Sequence, residues 1–278
     1  MSYEDAFRHF LDVPEKQYHE EGRSGAWLQS HALALFAKSP AAYDRMRRGA
    51  AGAKDEPTEA FEFGRAAHCF ILEGPDEFRN RFASDEGRPI NPKTNKPFGS
   101  ATKEFATWAA SLAPRAVVSA GDIETILRMR AAILANPNAA RLLCGGRAEA
   151  TVRAKVAGLN CQARIDYFTA ANGITDLKSC HDLDRFERDA IAFGYIEQLG
   201  FYHAVLRAAS GLDVSCRIVA VEKREPFRCG VWRVPSFEIV RAERENESRL
   251  NRLRECIEAD YWPEPREWDA ERTLAFLD

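Results

Sequence analysis

Apolar residues recur along the chain first at helical spacing and later at strand spacing, and the change falls near residue 146. The segment SHALALFAK predicts a helix over 30–38, with Ser30 as N-cap and Leu33 and Phe36 on one face. Pro40 ends it and opens a second short helix, Pro40 to Arg48, followed by a linker of small residues from Gly49 to Pro57. Glu59 to Glu73 reads as a helix with Phe63, Ala67, Phe70 and Ile71 apolar, stopped by Gly74-Pro75. A polar, Pro/Gly-rich loop is expected from Ser84 to Gly99, then helices over 101–112 and 120–135. Residues 1–23 have no period and are expected to pack loosely.

Beyond Gly146 the pattern alternates. Ala148, Ala150, Val152, Ala154 and Val156 fall on one side of a predicted strand, and Glu149, Thr151, Arg153 and Lys155 on the other. Gly158-Leu159-Asn160 is a hairpin-turn candidate, and further strands are predicted over 161–169 and 173–179. Helical sequence over 183–209, broken near Gly194, precedes strands over 213–222 and 228–234 and a last helix over 236–259. The order predicts one α/β domain spanning 1–278: a mostly helical portion over 1–145, an α/β core over 146–262 and a tail over 263–278.

Composition narrows the class. With 278 residues, 45 % hydrophobic and 29 % charged, the chain is an ordinary globular one able to bury a sizeable core. It has neither an apolar run of membrane length nor a leader-like N-terminus, so a cytoplasmic location is expected. The seven cysteines are scattered singly without a CxxC pair, which encodes no zinc knuckle or iron–sulfur site. A net charge of −3 argues against a basic coat and leaves room for a localised basic groove.

The candidate chemistry lies between Glu149 and Tyr202. Asp176 and Lys178 are two apart on a predicted strand and project together, and a hairpin would set Asp166 across from them. Glu149 on the preceding strand adds a third acid. Hard carboxylate oxygens suit Mg²⁺, with Mn²⁺ able to substitute, and the Leu177 carbonyl is a further possible ligand. Lys178 would hold or deprotonate an attacking water or offset charge on a phosphoryl group. The same spacing also fits ordinary surface Asp and Lys residues on amphipathic strands. His68, on an apolar helix face, fits a core histidine as well as a ligand. Tyr195, Gln198 and Tyr202 form one helical stripe, whose bland reading is an amphipathic helix with a partly buried amide. Arg153, Lys155 and Arg164 flank the carboxylates as candidates for phosphate contacts.

Ile165-Asp166 followed by Asp176-Leu177-Lys178 resembles the PD-(D/E)XK nuclease superfamily, a restriction-endonuclease-like mixed sheet flanked by helices. More closely, the chain resembles the RecE-type phage exonucleases, the nuclease domain of exodeoxyribonuclease VIII. The resemblance is carried by Ser30-His31-Ala32-Leu33 through Ser39-Pro40-Ala41-Ala42-Tyr43, by Phe63 to His68 with Leu72-Glu73-Gly74-Pro75, by Cys161 to Asp166, by Thr175 to Ser179 and by Gly194 to Tyr202. It covers residues 24 to 262, although no proline precedes Asp166. It implies a Mg²⁺-dependent exonuclease that works 5′→3′ from double-stranded DNA ends. The 3′ single strand left behind would serve a single-strand annealing protein in phage recombination, and a ring-shaped homo-oligomer is implied as well. It implies Asp166, Asp176 and His68 at the metal, Glu149 and Lys178 in catalysis, and Gln198, Tyr202 and Tyr195 beside the site or on DNA. The alternatives are a PD-(D/E)XK endonuclease, a Cas4-like nuclease, whose four-cysteine cluster is not supplied here, and a non-cleaving binding module.

Overall fold

The structure, a computed structural model, describes residues 7–49 and 59–264. The expected linker, apart from Gly49, and the tail beyond residue 264 lie outside the described residues. The helical portion runs α1 (Glu15–Arg23), α2 (Ser30–Lys38), α3 (Pro40–Arg47) and α4 (Glu59–His68), which continues as a π turn over Cys69–Glu73. Then come α5 (Pro75–Arg81), β1 (Phe82–Ser84), β2 (Ile90–Asn91), β3 (Lys96–Pro97), α6 (Lys103–Ser111), β4 (Ala116–Val118), α7 (Ala120–Ala135) and α8 (Pro137–Leu142). The core is β5 (Arg147–Val156), β6 (Leu159–Thr169), β7 (Gly173–Cys180), α9 (Phe186–Ala192), α10 (Tyr195–Ser210), β8 (Cys216–Glu222), β9 (Cys229–Val234) and α11 (Ser236–Ala259).

The last five strands form one mixed sheet in chain order, antiparallel except for the parallel pair β7–β8, whose connection is supplied by α9 and α10. Two apolar layers sandwich it. On one face Ala150, Ile165, Ile174, Ile218 and Ala220 meet Leu33 and Phe36 of α2, Leu199 and Val205 of α10 and Leu250 of α11. On the other, Leu177, Val219 and Val221 meet Ala67 of α4, Ile126 and Met129 of α7 and Leu142 of α8. No helix among the described residues is long and apolar enough to cross a membrane.

The structure departs from the sequence reading in several places. The turn between β5 and β6 is Ala157-Gly158, both at positive φ (49° and 83°), so Leu159 and Asn160 already belong to the strand. Ser30 is the first residue of α2 and Gln29 its cap position; the Gln29 amide donates to the Tyr18 carbonyl at 2.7 Å instead of capping. The loop expected over 84–99 contains a two-residue hairpin, β2–β3, and β1 pairs in parallel with β4. Above all, the stretch expected to pack loosely is docked. Phe10 and Tyr18 are buried, and the Leu11 amide donates to the Thr151 carbonyl at 2.8 Å on the outer edge of β5. Leu28 bonds β6 through Asn160 and Gln162, both at 2.8 Å, along the part of β6 that β7 does not cover. These contacts also explain why Thr151, on the expected polar side of β5, and Gln162 of β6 are fully buried.

Two local features set stability limits. A Cβ on Gly200 would sit 2.6 Å from the Cβ of Ala242, so α10 and α11 cross at glycine distance. Helix propensity alone favours alanine there by about 1 kcal/mol. Overpacking at the crossing outweighs it, and Gly200→Ala is expected to lower unfolding free energy by about 1–3 kcal/mol, measured by urea denaturation. Secondly, buried Glu222 accepts from the Leu183 and Arg228 amides at 3.1 Å and from the Arg228 guanidinium at 2.6 Å. The Arg228 bonds outweigh burial and hold its carboxyl at about 2. A carboxyl lowered on folding contributes stability above the unfolded value near 4.5 that is lost as pH falls through about 2. Arg228 is 42 % exposed, so screening reduces the effect to an expected 1–2 kcal/mol or so. Denaturant titrations at pH 7, 4 and 3 should show that acid limb in the wild type and a flatter one in Glu222→Gln.

Candidate active site

Three carboxylates on adjacent strands fall in one row. Ala148 pairs with Tyr167 and Ala150 with Ile165, so Glu149 stands opposite Asp166, at a rung the ladder skips. Tyr167 pairs with Thr175, the last rung between β6 and β7, and the next step sets Asp166 against Asp176. There the strands part, and Asp166 Oδ2 accepts the Leu177 amide at 2.8 Å in place of a ladder bond. Glu149 has φ 48°, a left-handed conformation that β-strand residues avoid. The strand pattern flips at this rung. Ala148 and Tyr167 pack in the α7 layer, whereas Ala150 and Ile165 pack in the α10 layer. The uniform alternation expected from Ala148 to Val156 is therefore broken at Glu149.

His68 reaches the row from the last turn of α4, immediately before the π turn. Its Nδ1 lies 3.8 Å from Glu149 Oε1 and 3.8 Å from Asp166 Oδ2. Burial opposes its charge, but the two carboxylates prevail and push the imidazole up to about 9. Asp176 is buried at 1 % exposure; burial pushes its carboxyl up, against the pull of the Lys178 ammonium 2.5 Å from Oδ2. Burial works against the charge of Lys178 as well, and Asp176 and Asp166 overcome it, so its pKa is raised.

A wall of α10 closes the site. The Lys178 ammonium lies 4.8 Å from the centre of the Tyr195 ring. Gln198 donates to the Tyr202 hydroxyl at 2.7 Å, and buried Tyr202 is raised well above 10 by desolvation, with Tyr18, Asp166 and Asp176 adding to the shift. The structure thus brings together Glu149, Asp166, Asp176, Lys178, His68 and Tyr195, with Tyr202 within electrostatic reach and Gln198 bonded to it. Leu177 lies between Asp176 and Lys178 with its side chain in the opposite layer.

The flanking cations are placed differently from one another. Arg164 Nε lies 4.0 Å from Glu149 Oε2 and donates to Thr151 Oγ1 at 3.1 Å, with its guanidinium over the Tyr18 ring. Arg153 is bonded to Glu21 and Gln162 and stacks on Trp27. Lys155 is exposed six residues along β5 from Glu149, about 20 Å away at strand rise. A cleft of about 460 Å³ borders Glu149 and Arg164, and it also holds Arg147, Arg81, Glu15, Glu73 and Glu77. Arg147, one of the basic residues near the core that the sequence offers for phosphate contacts, pairs with Asp12; Arg81 had no motif to mark it and pairs with Glu73 and Glu77.

The donors fit a divalent cation. Ligand atoms of His68, Glu149 and Asp166 lie within 4.8 Å of one another. Asp176 Oδ1 is buried without a hydrogen-bond partner among the described residues, an orphan oxygen that a cation would satisfy. Carboxylate oxygens suit Mg²⁺ or Mn²⁺, and the imidazole nitrogen favours the softer of the two.

A helix-flanked mixed sheet with this row of acids and a lysine two residues beyond the last defines the class: a PD-(D/E)XK nuclease fold. The chain belongs to the family described as a PDDEXK-like domain of unknown function, whose pattern matches residues 30–270. Its fold is shared with the crystal structure of a protein from Eubacterium rectale provisionally named an exonuclease, at 14 % identity, TM-score 0.65 and 96 % of both chains covered. An alkaline exonuclease, LHK-Exo from Laribacter hongkongensis, aligns at 16 % identity and TM-score 0.31, over 58 % of this chain and 85 % of that one. Its complex with dAMP aligns at 15 % and 0.30, over 73 % and 95 %. These two follow the backbone too loosely to bear on the reading. No curated protein matches the chain.

The left-handed backbone at Glu149 is testable apart from any activity. A non-glycine residue there costs roughly 1–2 kcal/mol. Glu149→Gly is expected to be more stable than Glu149→Ala by about 1 kcal/mol in urea denaturation, the reverse of the usual order in a strand.

Proposed function

We propose that the chain is a divalent-metal-dependent exonuclease acting on double-stranded DNA ends. The carrying observation is the Glu149–Asp166–Asp176 row, with His68 and Lys178 converging on it from two different elements. His68, Asp166 and Asp176 would hold Mg²⁺ or Mn²⁺, with Glu149 and the Leu177 carbonyl as further oxygen donors. Such an ion supplies Lewis-acid stabilisation of a phosphodiester and lowers the pKa of water.

The chain's own groups define the rest. Lys178 is anchored by Asp176, so its charged head has a fixed position from which to hydrogen-bond a phosphoryl oxygen or the attacking water. Tyr195 packs over that ammonium and limits its rotation and its contact with solvent. The Gln198–Tyr202 hydrogen bond fixes the α10 wall above the carboxylates, a positioning role. Arg164, beside Glu149 at the cleft, is the nearest of the flanking cations to the acids, with its guanidinium also engaged by Thr151, the Val13 carbonyl and Tyr18; Arg153 is held by Glu21 and Gln162, and Lys155 stands apart.

Polarity from 5′ to 3′, hand-over of the 3′ strand to an annealing protein and a ring assembly rest on the resemblance to RecE-type exonucleases. An endonuclease of the same fold is the reading to exclude.

The test uses end-labelled linear duplex and closed-circular duplex with Mg²⁺ or Mn²⁺. Wild type should degrade the linear form, with chelator abolishing the activity, and spare the circle. Asp176→Asn and Lys178→Ala should each lose on the order of 10²-fold or more in rate. Intact linear duplex with wild type, or unimpaired variants, would overturn the reading; cut circles would assign an endonuclease. Release of a 5′-label before a 3′-label fixes the polarity.

A further inference from the structure

Aromatic side chains lead from Lys178 out to solvent. The Tyr195 ring that covers the ammonium lies 5.9 Å from the Phe193 ring, at 36° between planes. Behind Tyr195 stands buried Phe186, 6.2 Å away, itself packed on Trp232 at 4.5 Å. The inner end of the series is therefore rigid. Its outer end is bare: Phe193 is 69 % exposed. The intervening Gly194, at φ 71°, makes the turn from α9 into α10 that sets the two rings side by side.

An exposed phenylalanine held against the residue that covers the catalytic lysine invites a flat apolar ligand. If the chain cuts DNA ends, the strand entering the carboxylate row leaves its complement, and its bases lose their pairing partners and the stack of the closed duplex. Phe193 stands two ring spacings from Lys178, a reach of two or three stacked nucleotides at roughly 3.4 Å each. Each base has a π face that an aromatic ring can cover without reading sequence. We infer that Phe193, backed by Tyr195, is a stacking platform for an unpaired base of the cut strand, next to the scissile phosphate. The inference rests on the nuclease reading and adds to it a residue that favours opened ends.

The experiment compares the full-length wild type with Phe193→Leu, which keeps an apolar side chain, and Phe193→Tyr, which keeps the ring. The probe is a duplex with 2-aminopurine in a short unpaired 5′ overhang, mixed with protein in chelator so that no cutting occurs. Wild type and Phe193→Tyr should quench the fluorescence, and Phe193→Leu should not. With metal, Phe193→Leu should lose about 5- to 150-fold in kcat/KM on duplex ends. Its hydrolysis of bis(p-nitrophenyl) phosphate and its sedimentation should match wild type. Wild-type quenching and cleavage by Phe193→Leu would sink the platform and leave the nuclease reading standing. A changed sedimentation in Phe193→Leu would overturn it too, by making Phe193 a contact between copies. Phe193-dependent quenching with no hydrolysis of either substrate would retain the platform and sink the nuclease reading.

Discussion

Asp166 substitutes its side chain for a rung of the sheet. Where β6 and β7 part, its carboxylate accepts the Leu177 amide at 2.8 Å, so a backbone donor that the ladder abandons stays satisfied. That one bond fixes the relative position of the two strands at the point where they diverge. Beyond it, the uncovered edge of β6 receives Leu28 from the N-terminal segment. On the near side, the acids at 149, 166 and 176 stand in register on three neighbouring strands, about 4.8 Å between each pair. Removing the bond would leave both the row and the docking of the N-terminal segment without a reference.

The arrangement is unfavourable in itself. Like charges a strand apart repel, and Asp176 is almost fully desolvated. Glu149 adds a left-handed backbone to these costs. Opposite charges offset part of them: Lys178 beside Asp176, His68 between Glu149 and Asp166, Arg164 near Glu149. The remainder is carried by the two apolar layers, which hold the strands rigid whatever the local charge prefers. An orphan carboxylate oxygen, a skipped rung and a strained φ at the same place are the marks of a site kept for binding, not for stability.

Much of this could be read from residue patterns, because period-2 and period-3.6 runs are local. The strands around Asp166 and Asp176, the break at Gly194 and the joint projection of Asp176 and Lys178 all follow from spacing within a few residues. Residues 7–23 could not be read, since their burial depends on Phe10 and Tyr18 finding partners in β5 and β6 over a hundred residues away. The face switch at Glu149 was equally hidden: alternation in the letters A-E-A-T-V continues smoothly while the backbone does not. His68 reads as one histidine on an apolar helix, and only the tertiary approach of α4 to the sheet places it among the acids. The arginines misled in the other direction. Arg153 lies four residues along β5 from Glu149 with the right charge, yet its guanidinium is used up by Glu21, Gln162 and Trp27.

The pairing of these arginines bears on how DNA would be held. A chain of net charge −3 whose cleft arginines are matched by Asp12, Glu73 and Glu77 offers few free cations for the phosphate backbone. Under the proposed reading, grip comes from the centre itself: the metal, the Lys178 ammonium and an aromatic surface for a base. Stacking is insensitive to salt, whereas every phosphate neutralised steepens the salt dependence of binding. A site built this way holds an end weakly until a strand has been opened onto it. The selectivity for ends then resides in the aromatic edge of the site and not in a basic groove along the duplex.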